Sequence, residues 1–452
     1  MTSAAGAGRV AFDRSHTDDL IAFLQASPSP FHAVTSAAER LEKAGFRQVE
    51  ETAAWEGTPG GRYLIRGGAL IAWYVPAGAT PATPFRIVGT HTDSPNLRVK
   101  PIPDTGRAGW RQVAVEIYGG VPLNTWLDRD LGLSGRLSLR DGSTRLVQLD
   151  EPLLRVPQLA IHLDRAVNDG MVLDRQQHIT PVWGLGRVDE GSLIEYVAEA
   201  AGLDPAQVVG WDLMVHDIQP PSYLGRDREL LAAPRLDNLL SVHAATAALA
   251  AVATADGGVS GVAGTGSGAG GGGVDLGCIP VIVGFDHEEN GSQSDTGAQG
   301  PLLASTLERS VFARGGTLED RARALAGTVC LSSDMGHAVH PNYSERHEPG
   351  HRPMPNGGPI LKVNVNNRYA TNGLGRAVFT AACERAGVPW QVFVSNNSMP
   401  CGTTIGPITA ARLGIATVDC GIAALSMHSA RELCGADDPF LLASVLKAFL
   451  ES

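Results

Sequence analysis

Basic residues are in the minority in this chain, since 36 Lys and Arg stand against 47 Asp and Glu, a formal net charge of -11 at pH 7. Nucleic acids attract proteins mainly through Lys and Arg, so this balance argues against a nucleic-acid partner, although a local basic group could still bind a small acidic substrate. Long apolar runs are also missing, and no stretch is predicted to span a bilayer. The N-terminal segment has neither the basic nor the apolar part of a secretory signal.

Cysteine is scarce, and the six cysteines include no C-x-x-C spacing. Most of them lie in apolar stretches that are typical of reduced thiols in a protein core. Together with the missing signal sequence, this pattern predicts a cytoplasmic protein that has no contact with a membrane.

The pattern of predicted elements changes twice along the 452 residues, a length that favours more than one domain. Residues 1–100 and 232–452 alternate helical periodicity with short β-branched strands, whereas residues 101–231 are rich in predicted strands and include a hairpin turn at Asp141-Gly142. We therefore predict an α/β domain interrupted by a β-rich insert. Residues 256–277 are almost all Gly, Ala, Ser and Val, and we expect a flexible surface insertion there.

The segment Cys278-Ile-Pro-Val-Ile-Val-Gly-Phe-Asp-His-Glu-Glu-Asn-Gly-Ser292 is an apolar run that ends in acids and a histidine. The run is short, β-branched and without alternation, which is typical of a strand buried on both faces of a parallel sheet. Its charged end would lie at the carboxyl edge of the sheet, where open α/β folds bind ligands. In an extended segment Glu288 and Glu289 point in different directions, so one can bind a metal while the other carries a proton. A solvated acidic loop is the simpler interpretation of this motif alone.

Further His and Asp residues that could bind a metal follow predicted strands or precede a predicted helix. Those after strands are His91, Asp93, Asp334, His337, His340 and His428, and the one before a helix is Asp237. Taken singly, His91 and Asp93 could be a surface pair, and Asp237 could be a helix cap. Mixed imidazole and carboxylate ligands suit zinc or a neighbouring borderline divalent metal, and the absence of cysteine from the set favours a catalytic site with an open position. The ligands are too many for one zinc ion but fit two metals that share a bridging carboxylate.

Five blocks of the sequence resemble, in the same order, the signature blocks of the aspartyl aminopeptidases. They are His91-Thr-Asp-Ser-Pro, Arg235-Leu-Asp-Asn-Leu, His287-Glu-Glu-Asn-Gly-Ser, Ser333-Asp-Met-Gly-His-Ala-Val-His-Pro-Asn342 and Ser426-Met-His-Ser429. Members of that family are cytosolic dizinc exopeptidases that remove N-terminal Asp or Glu. The resemblance implies a three-layer α/β/α catalytic domain (1–100 and 232–452), an inserted β-rich dimerisation domain (101–231) and a tetrahedral homo-oligomer, expected to be a dodecamer.

The resemblance also implies roles for individual residues. His91 and Asp334 would hold one zinc ion, Glu289 and His428 the other, and Asp237 would bridge them. Asp93 would orient and polarise the His91 imidazole. Glu288 would be the general base that takes a proton from the attacking water and passes it to the leaving amine.

Three further residues are assigned by the same resemblance. Lys362 corresponds to the lysine associated with selectivity for acidic side chains, and His337 is expected to contact the substrate. His162, in the apolar run 160–164, corresponds to a histidine that reaches the active site of a neighbouring subunit. The simpler alternatives are an ordinary surface lysine and a core histidine. Ser398 stands where many members of the family have an acid, which bears on the fine substrate preference.

Two other functions fit the same residues. A dizinc deacylase or carboxypeptidase on this scaffold would share the metal ligands, and peptides with free or blocked N-termini would distinguish it. A non-catalytic carrier or scaffold that keeps the fold of a peptidase is disfavoured because both the ligands and Glu288 are present.

Overall fold

The computed structural model describes residues 14–255 and 276–452, so that nearly all of the predicted insertion at 256–277 lies outside the described residues. The helices in these ranges are α1 (Arg14–Gln25), α2 (Pro30–Lys43), α3 (Leu193–Ala200), α4 (Leu236–Ala255), α5 (Leu302–Ala313), α6 (Leu318–Ala326), α7 (Gly373–Ala386), α8 (Ile405–Leu413) and α9 (Asp438–Leu450). The strands are β1 (Arg47–Gln48), β2 (Gly60–Arg66), β3 (Ala69–Val75), β4 (Phe85–His91), β5 (Asn96–Arg107), β6 (Trp110–Tyr118), β7 (Leu131–Leu139), β8 (Thr144–Leu154), β9 (Val182–Leu185), β10 (Val208–Asp217), β11 (Ser222–Leu224), β12 (Leu230–Ala233), β13 (Ile279–Phe285), β14 (Val329–Ser333), β15 (Gly336–His337), β16 (Ile360–Val363), β17 (Gln391–Val394), β18 (Ala416–Gly421), β19 (Ala423–Leu425) and β20 (Glu432–Gly435).

The largest sheet has the strand order β1-β2-β3-β13-β4-β14-β18-β16-β17. Its central strands β13, β4, β14 and β18 are parallel, whereas β3 is antiparallel to β13 and β16 is antiparallel to β18. The predicted parallel pairing of β13 is found with β4, whereas its other neighbour β3 is antiparallel, so the sheet is mixed. Every residue of β13 is buried, as its continuous apolar run indicates.

Helices cover both faces of this sheet, which makes three layers. Val88 and Ile282 face the core formed with α1, α2, α4, α7 and α9. The adjacent residues Ile87 and Val283 face the opposite core, formed with α5, α6 and α8. Side chains alternate between the two faces of a strand, so each central strand needs one set of apolar residues for each core. These strands therefore lack the polar face of a strand that is exposed on one side.

Two smaller sheets complete the fold. One is antiparallel in the order β8-β7-β10-β5-β6-β9 and encloses its own apolar core with α3. Its strands come from the predicted β-rich part 101–231, except that β5 begins earlier, at Asn96. Asp141-Gly142 forms the turn between β7 and β8. The other sheet has the order β11-β12-β20-β19-β15 and lies next in sequence to several of the predicted site residues.

Local sequence signals explain where several helices begin and end. The Ser29 side chain accepts a hydrogen bond from the N–H of His32, and Pro30 occupies the first helical position of α2. Thr317 and Asp320 form a capping box at the start of α6. Gly387 ends α7 with a φ of 66°, a conformation that costs glycine little.

Among the described residues, α4 is the helix that is long and apolar enough to cross a membrane by length and composition. The expectation that no stretch meets this criterion was therefore wrong. Most of the helix is buried inside the protein, against α2 and α9 and the central sheet, as in the core helix of a globular domain.

Candidate metal centre

The carboxyl ends of neighbouring parallel strands bring the predicted ligands together. His91 is the last residue of β4 and is paired in register with Phe285, the last residue of β13, after which the chain turns to Glu288 and Glu289. Asp334 directly follows β14, on the other side of β4. Asp237 lies at the start of α4 and His428 lies between β19 and β20, so both enter from the third sheet.

The ligand atoms lie close together. His91 Nε2 is 3.3 Å from Asp237 Oδ1 and 3.5 Å from Asp334 Oδ1. His428 Nε2 is 3.4 Å from Asp237 Oδ2 and 3.3 Å from Glu289 Oε2. The two oxygens of Asp237 therefore face two separate groups of ligands.

The two histidines are oriented with Nε2 toward this cluster. His91 Nδ1 lies 3.0 Å from the Asp93 carbonyl oxygen, and His428 Nδ1 lies 3.3 Å from the Gly120 carbonyl oxygen. A carbonyl oxygen only accepts hydrogen bonds, so the proton is assigned to Nδ1 and the lone pair to Nε2. This is the arrangement in which an imidazole binds a metal.

Two carboxylate oxygens of the cluster have no hydrogen-bond partner among the described residues. Asp237 Oδ1 and Glu289 Oε1 are buried and unpartnered. Three groups of atoms are close enough to hold a cation, namely His91 with Asp237 and Asp334, Asp237 with Glu289 and His428, and His91 with Glu288 and Glu289. Unpartnered buried carboxylate oxygens next to imidazole nitrogens fit zinc.

The electrostatics of the protein without metal agree with this fit. Burial raises the pKa of Glu288 to about 8, and the carboxylates of Asp334, Asp93 and Asp237 contribute in the same direction against His91. Burial and Asp237 raise the pKa of Glu289 well above its usual range. The acids repel each other in this small volume, and a bound cation would remove that repulsion.

Glu288 and Glu289 begin a short 3-10 turn, so the expected extended segment was wrong. The turn follows His287, whose φ is 65°. The backbone N–H groups of Glu288 and Glu289 donate to Asp93 Oδ1 and Oδ2, each at 3.1 Å. The Tyr118 hydroxyl also donates to Asp93 Oδ2, at 2.6 Å. The Asp93 carboxylate thus fixes the turn that carries the two glutamates, in addition to lying 3.4 Å from His91 Nδ1.

Lys362 is a buried residue, only 2% exposed, and is not the surface lysine considered as an alternative. Its Nζ donates to the Met335 carbonyl oxygen at 2.6 Å and lies 3.8 Å from Asp334 Oδ2. The ammonium also lies 5.4 Å from the centre of the Tyr369 ring.

A cavity of about 350 Å³ adjoins the cluster and has His337, Tyr369, Phe393, Met399 and Met427 in its wall. His337 is an exposed residue, and its ring packs edge-to-face with that of Phe393, with the ring centres 5.7 Å apart. Met427 is adjacent in sequence to the candidate ligand His428, which places the cavity beside the metal centre. Ser398 is exposed and precedes Met399.

His162 lies away from the strands that form the cluster, in an exposed turn of residues 161–163. The apolar side chains around it are exposed as well, with Leu159 at 55%, Ile161 at 51% and Leu163 at 76%. The run 160–164 is therefore not a core segment, and the alternative of a core histidine was wrong.

Sequence reasoning missed two residues that contact the cluster. Tyr118 donates to Asp93, and Glu432, in β20, accepts hydrogen bonds from the backbone of Asp237 and His428. Tyr118 ends a strand of the second sheet, and Glu432 lies in a short strand without a motif. Their positions become apparent only once the sheets are assembled.

An α/β sheet that gathers imidazole and carboxylate ligands at the ends of its parallel strands is typical of a metal-dependent hydrolase. Comparison with known proteins defines the family. Residues 23–450 match the model of the family described as aminopeptidase I zinc metalloprotease (M18). The chain belongs to this family of zinc aminopeptidases, so the predicted family and fold class are confirmed.

Individual relatives agree with this assignment. A probable M18 family aminopeptidase 2 of Streptomyces avermitilis is 71% identical over 444 residues, which cover 98% of this chain and 99% of the relative. The chain solved in the cryo-EM structure of the Ape4 and Nbr1 complex is 34% identical with a TM-score of 0.90, over 97% of this chain and 86% of that one. The mApe1 dodecamer of S. cerevisiae is 28% identical with a TM-score of 0.81, over 96% of both chains.

Proposed function

We propose that this protein is an aminopeptidase that uses two zinc ions to remove N-terminal Asp and Glu from peptides. The observation that carries the proposal is the position of Asp237, whose two oxygens face two groups of ligands. One zinc ion would be held by His91 and Asp334, the other by Glu289 and His428, with Asp237 shared.

When bound, zinc supplies Lewis acidity, which lowers the pKa of a nearby water and polarises the scissile carbonyl. Glu288 is left over from the two ligand groups that share Asp237, and so its carboxylate is available for proton transfer. We assign Glu288 as the general base that accepts a proton from the attacking water and delivers it to the leaving amine. Asp93 holds the backbone N–H of Glu288 at 3.1 Å and so orients this base.

Selectivity for acidic N-terminal residues is assigned to Lys362. Its Nζ lies 3.8 Å from the proposed ligand Asp334, and because the site is buried, a substrate carboxylate without this charged partner would be left uncompensated. His337, in the wall of the adjoining cavity, is assigned to substrate binding.

We further propose that the enzyme acts as a homo-oligomer, expected to be a dodecamer, in which residues 101–231 form the dimerisation domain and His162 reaches the active site of a neighbouring subunit. The exposed apolar side chains beside His162 support this, since exposed apolar patches commonly mark protein interfaces. The solved S. cerevisiae relative is described as a dodecamer. The free cysteines, most of them buried, are consistent with a reducing cytoplasmic location.

The function can be tested by measuring zinc content together with hydrolysis of peptides that begin with Asp, Glu, Ala or Lys. Two zinc ions per subunit and a preference for Asp and Glu are expected. N-terminally acetylated peptides are the control, because a deacylase or carboxypeptidase would still act on a chain with a blocked N-terminus. Preferential cleavage of the blocked peptides would refute the proposal, and so would a zinc-loaded protein that cleaves none of the peptides with a free N-terminus.

A further inference from the structure

Glu432 is a buried carboxylate that contacts the metal centre without belonging to it. It is 2% exposed and is absent from the groups of metal-competent atoms found among the described residues. Its Oε2 accepts a hydrogen bond from the N–H of Asp237 at 2.8 Å, and its Oε1 accepts one from the N–H of His428 at 2.7 Å. One side chain therefore holds the backbone of two proposed ligands that are far apart in the sequence.

Both of these backbone segments contain residues with a positive φ, a conformation that residues other than glycine rarely adopt. His428 has a φ of 68° and Ser426 a φ of 58°, while Arg235, two residues before Asp237, has a φ of 59°. Residues in this left-handed region persist only where the surroundings hold them. The two hydrogen bonds that Glu432 accepts from Asp237 and His428 supply such support in each segment.

The position of Glu432 is itself rigid. It lies on β20, which pairs with β12 on one side and β19 on the other, and Glu432 is paired in register with Ala233. β12 leads directly to the segment that carries Asp237, and the loop from β19 to β20 carries His428. The carboxylate thus ties together both chain segments at the point where they leave the same sheet.

We infer that Glu432 is a positioning residue that sets the geometry of the pair formed by Asp237 and His428, and thereby the affinity for the second metal. The inference rests on the proposed two-zinc function. Two-metal hydrolases need a short and fixed spacing between the ions, so a small movement of the shared carboxylate weakens binding. A residue that merely fills space would not affect metal affinity in this way.

The test is zinc affinity, measured by competition with a chromophoric chelator, in the full-length variant E432Q. Glutamine has the same size, but only one of its two polar atoms accepts hydrogen bonds, so one N–H loses its partner. We expect one zinc ion to bind about 10- to 100-fold more weakly, the usual effect of losing such a supporting group. The kcat for a peptide substrate should fall at limiting zinc and recover at saturating zinc.

D438N is the matched control. Asp438 is likewise buried, at 1% exposure, and its carboxylate also accepts hydrogen bonds from two backbone N–H groups, those of Asn356 and Gly358. We expect D438N to lower the melting temperature without changing either zinc affinity. Unchanged zinc affinity in E432Q, with a fall in melting temperature like that of D438N, would overturn the inference. A wild-type protein that binds only one zinc ion would overturn the proposed two-zinc function itself. Failure of the inference, which is seen only in E432Q, can therefore be distinguished from failure of the proposed function.

Discussion

Lys362 Nζ lies 3.8 Å from Asp334 Oδ2, and both side chains are almost completely buried. The proposed lysine for acidic substrates is therefore also a neighbour of a proposed metal ligand. This proximity has two possible consequences, since the ammonium could attract a substrate carboxylate or could balance the charge of Asp334. The two roles lead to different behaviour when the charge is removed.

Replacing Lys362 by glutamine should lower kcat/KM for peptides that begin with Asp or Glu by at least about 30-fold, while peptides that begin with Ala should lose much less. The reason is that a buried substrate carboxylate would lose its charged partner, at a cost of about 2–5 kcal/mol. Steady-state kinetics on the two substrate classes measure this difference.

Zinc content of the same variant separates the two roles of Lys362. If K362Q loses zinc and activity on all substrates alike, the lysine serves Asp334 and not specificity. K447Q is the control, because Lys447 lies on α9 in an ion pair with Glu451 and should change neither measurement.

Replacement by glutamine should affect Glu288 and Glu289 differently, the first through catalysis and the second through zinc binding. E288Q is expected to lower kcat by about 10²–10⁴-fold with both metals retained, because a general base is lost and no ligand is removed. E289Q is expected to lose zinc from the site shared with His428. Elemental analysis and kinetics on both variants test the assignment, and zinc loss in E288Q with zinc retention in E289Q would reverse it.

His162 is predicted to act on the active site of a neighbouring subunit, in keeping with its exposed position on residues 161–163. Oligomers of H162A and of E288Q should each be nearly inactive. Subunits of the two variants that are dissociated, mixed and reassembled should regain activity, because some active sites would combine an intact Glu288 with an intact His162.

Differently tagged chains that co-purify would show that mixed oligomers have formed. Activity that stays at the level of the parents in such oligomers would contradict action between subunits. H178A is the control, since His178 is an exposed histidine of the same insert and its loss should leave activity intact.

Metal-free protein should lose stability as the pH rises from about 7 to about 9, above the range in which the buried histidines titrate in the unfolded chain. Burial raises the pKa of Glu288 from 4.5 to about 8, so the folded state keeps a proton that the unfolded state releases. Burial lowers the pKa of His428, but the hydrogen bond that its imidazole donates to the Asp237 carboxylate and the charges of Asp237 and Glu432 outweigh it and raise the pKa from 6.5 to about 9. Both groups bind more protons in the folded state, and their contribution to stability therefore falls with rising pH across these ranges.

Melting temperatures of chelator-treated protein between pH 5 and 9 measure this effect, and zinc should restore stability by about 2.7 kcal/mol when free zinc is 100 times its Kd. E288Q should show a smaller fall between about pH 7 and 8 than E199Q, a change of an exposed glutamate on α3. A metal-free melting temperature that is constant or rises between about pH 7 and 9 would contradict the prediction.

The sequence by itself determined the local structure and the residue types of the site. A continuous apolar run such as β13 and a cap residue such as Ser29 determine the conformation of only a few neighbouring residues. Strands and helix starts could therefore be predicted from the local sequence. The grouping of His91 with Asp334 could also be predicted, because neighbouring parallel strands end at the same edge of a sheet. The roles of these residues remain predictions.

Only the tertiary structure decided which groups support the site. The turn at Glu288 and Glu289 depends on hydrogen bonds to Asp93, which lies in the loop between β4 and β5. The burial of Lys362 and the contacts of Glu432 depend on how the sheets pack, and the exposure of Leu163 shows that an apolar run does not by itself place a segment in the core. Local patterns report the conformation of a segment, whereas hydrogen bonds and burial between distant segments exist only after the chain has folded.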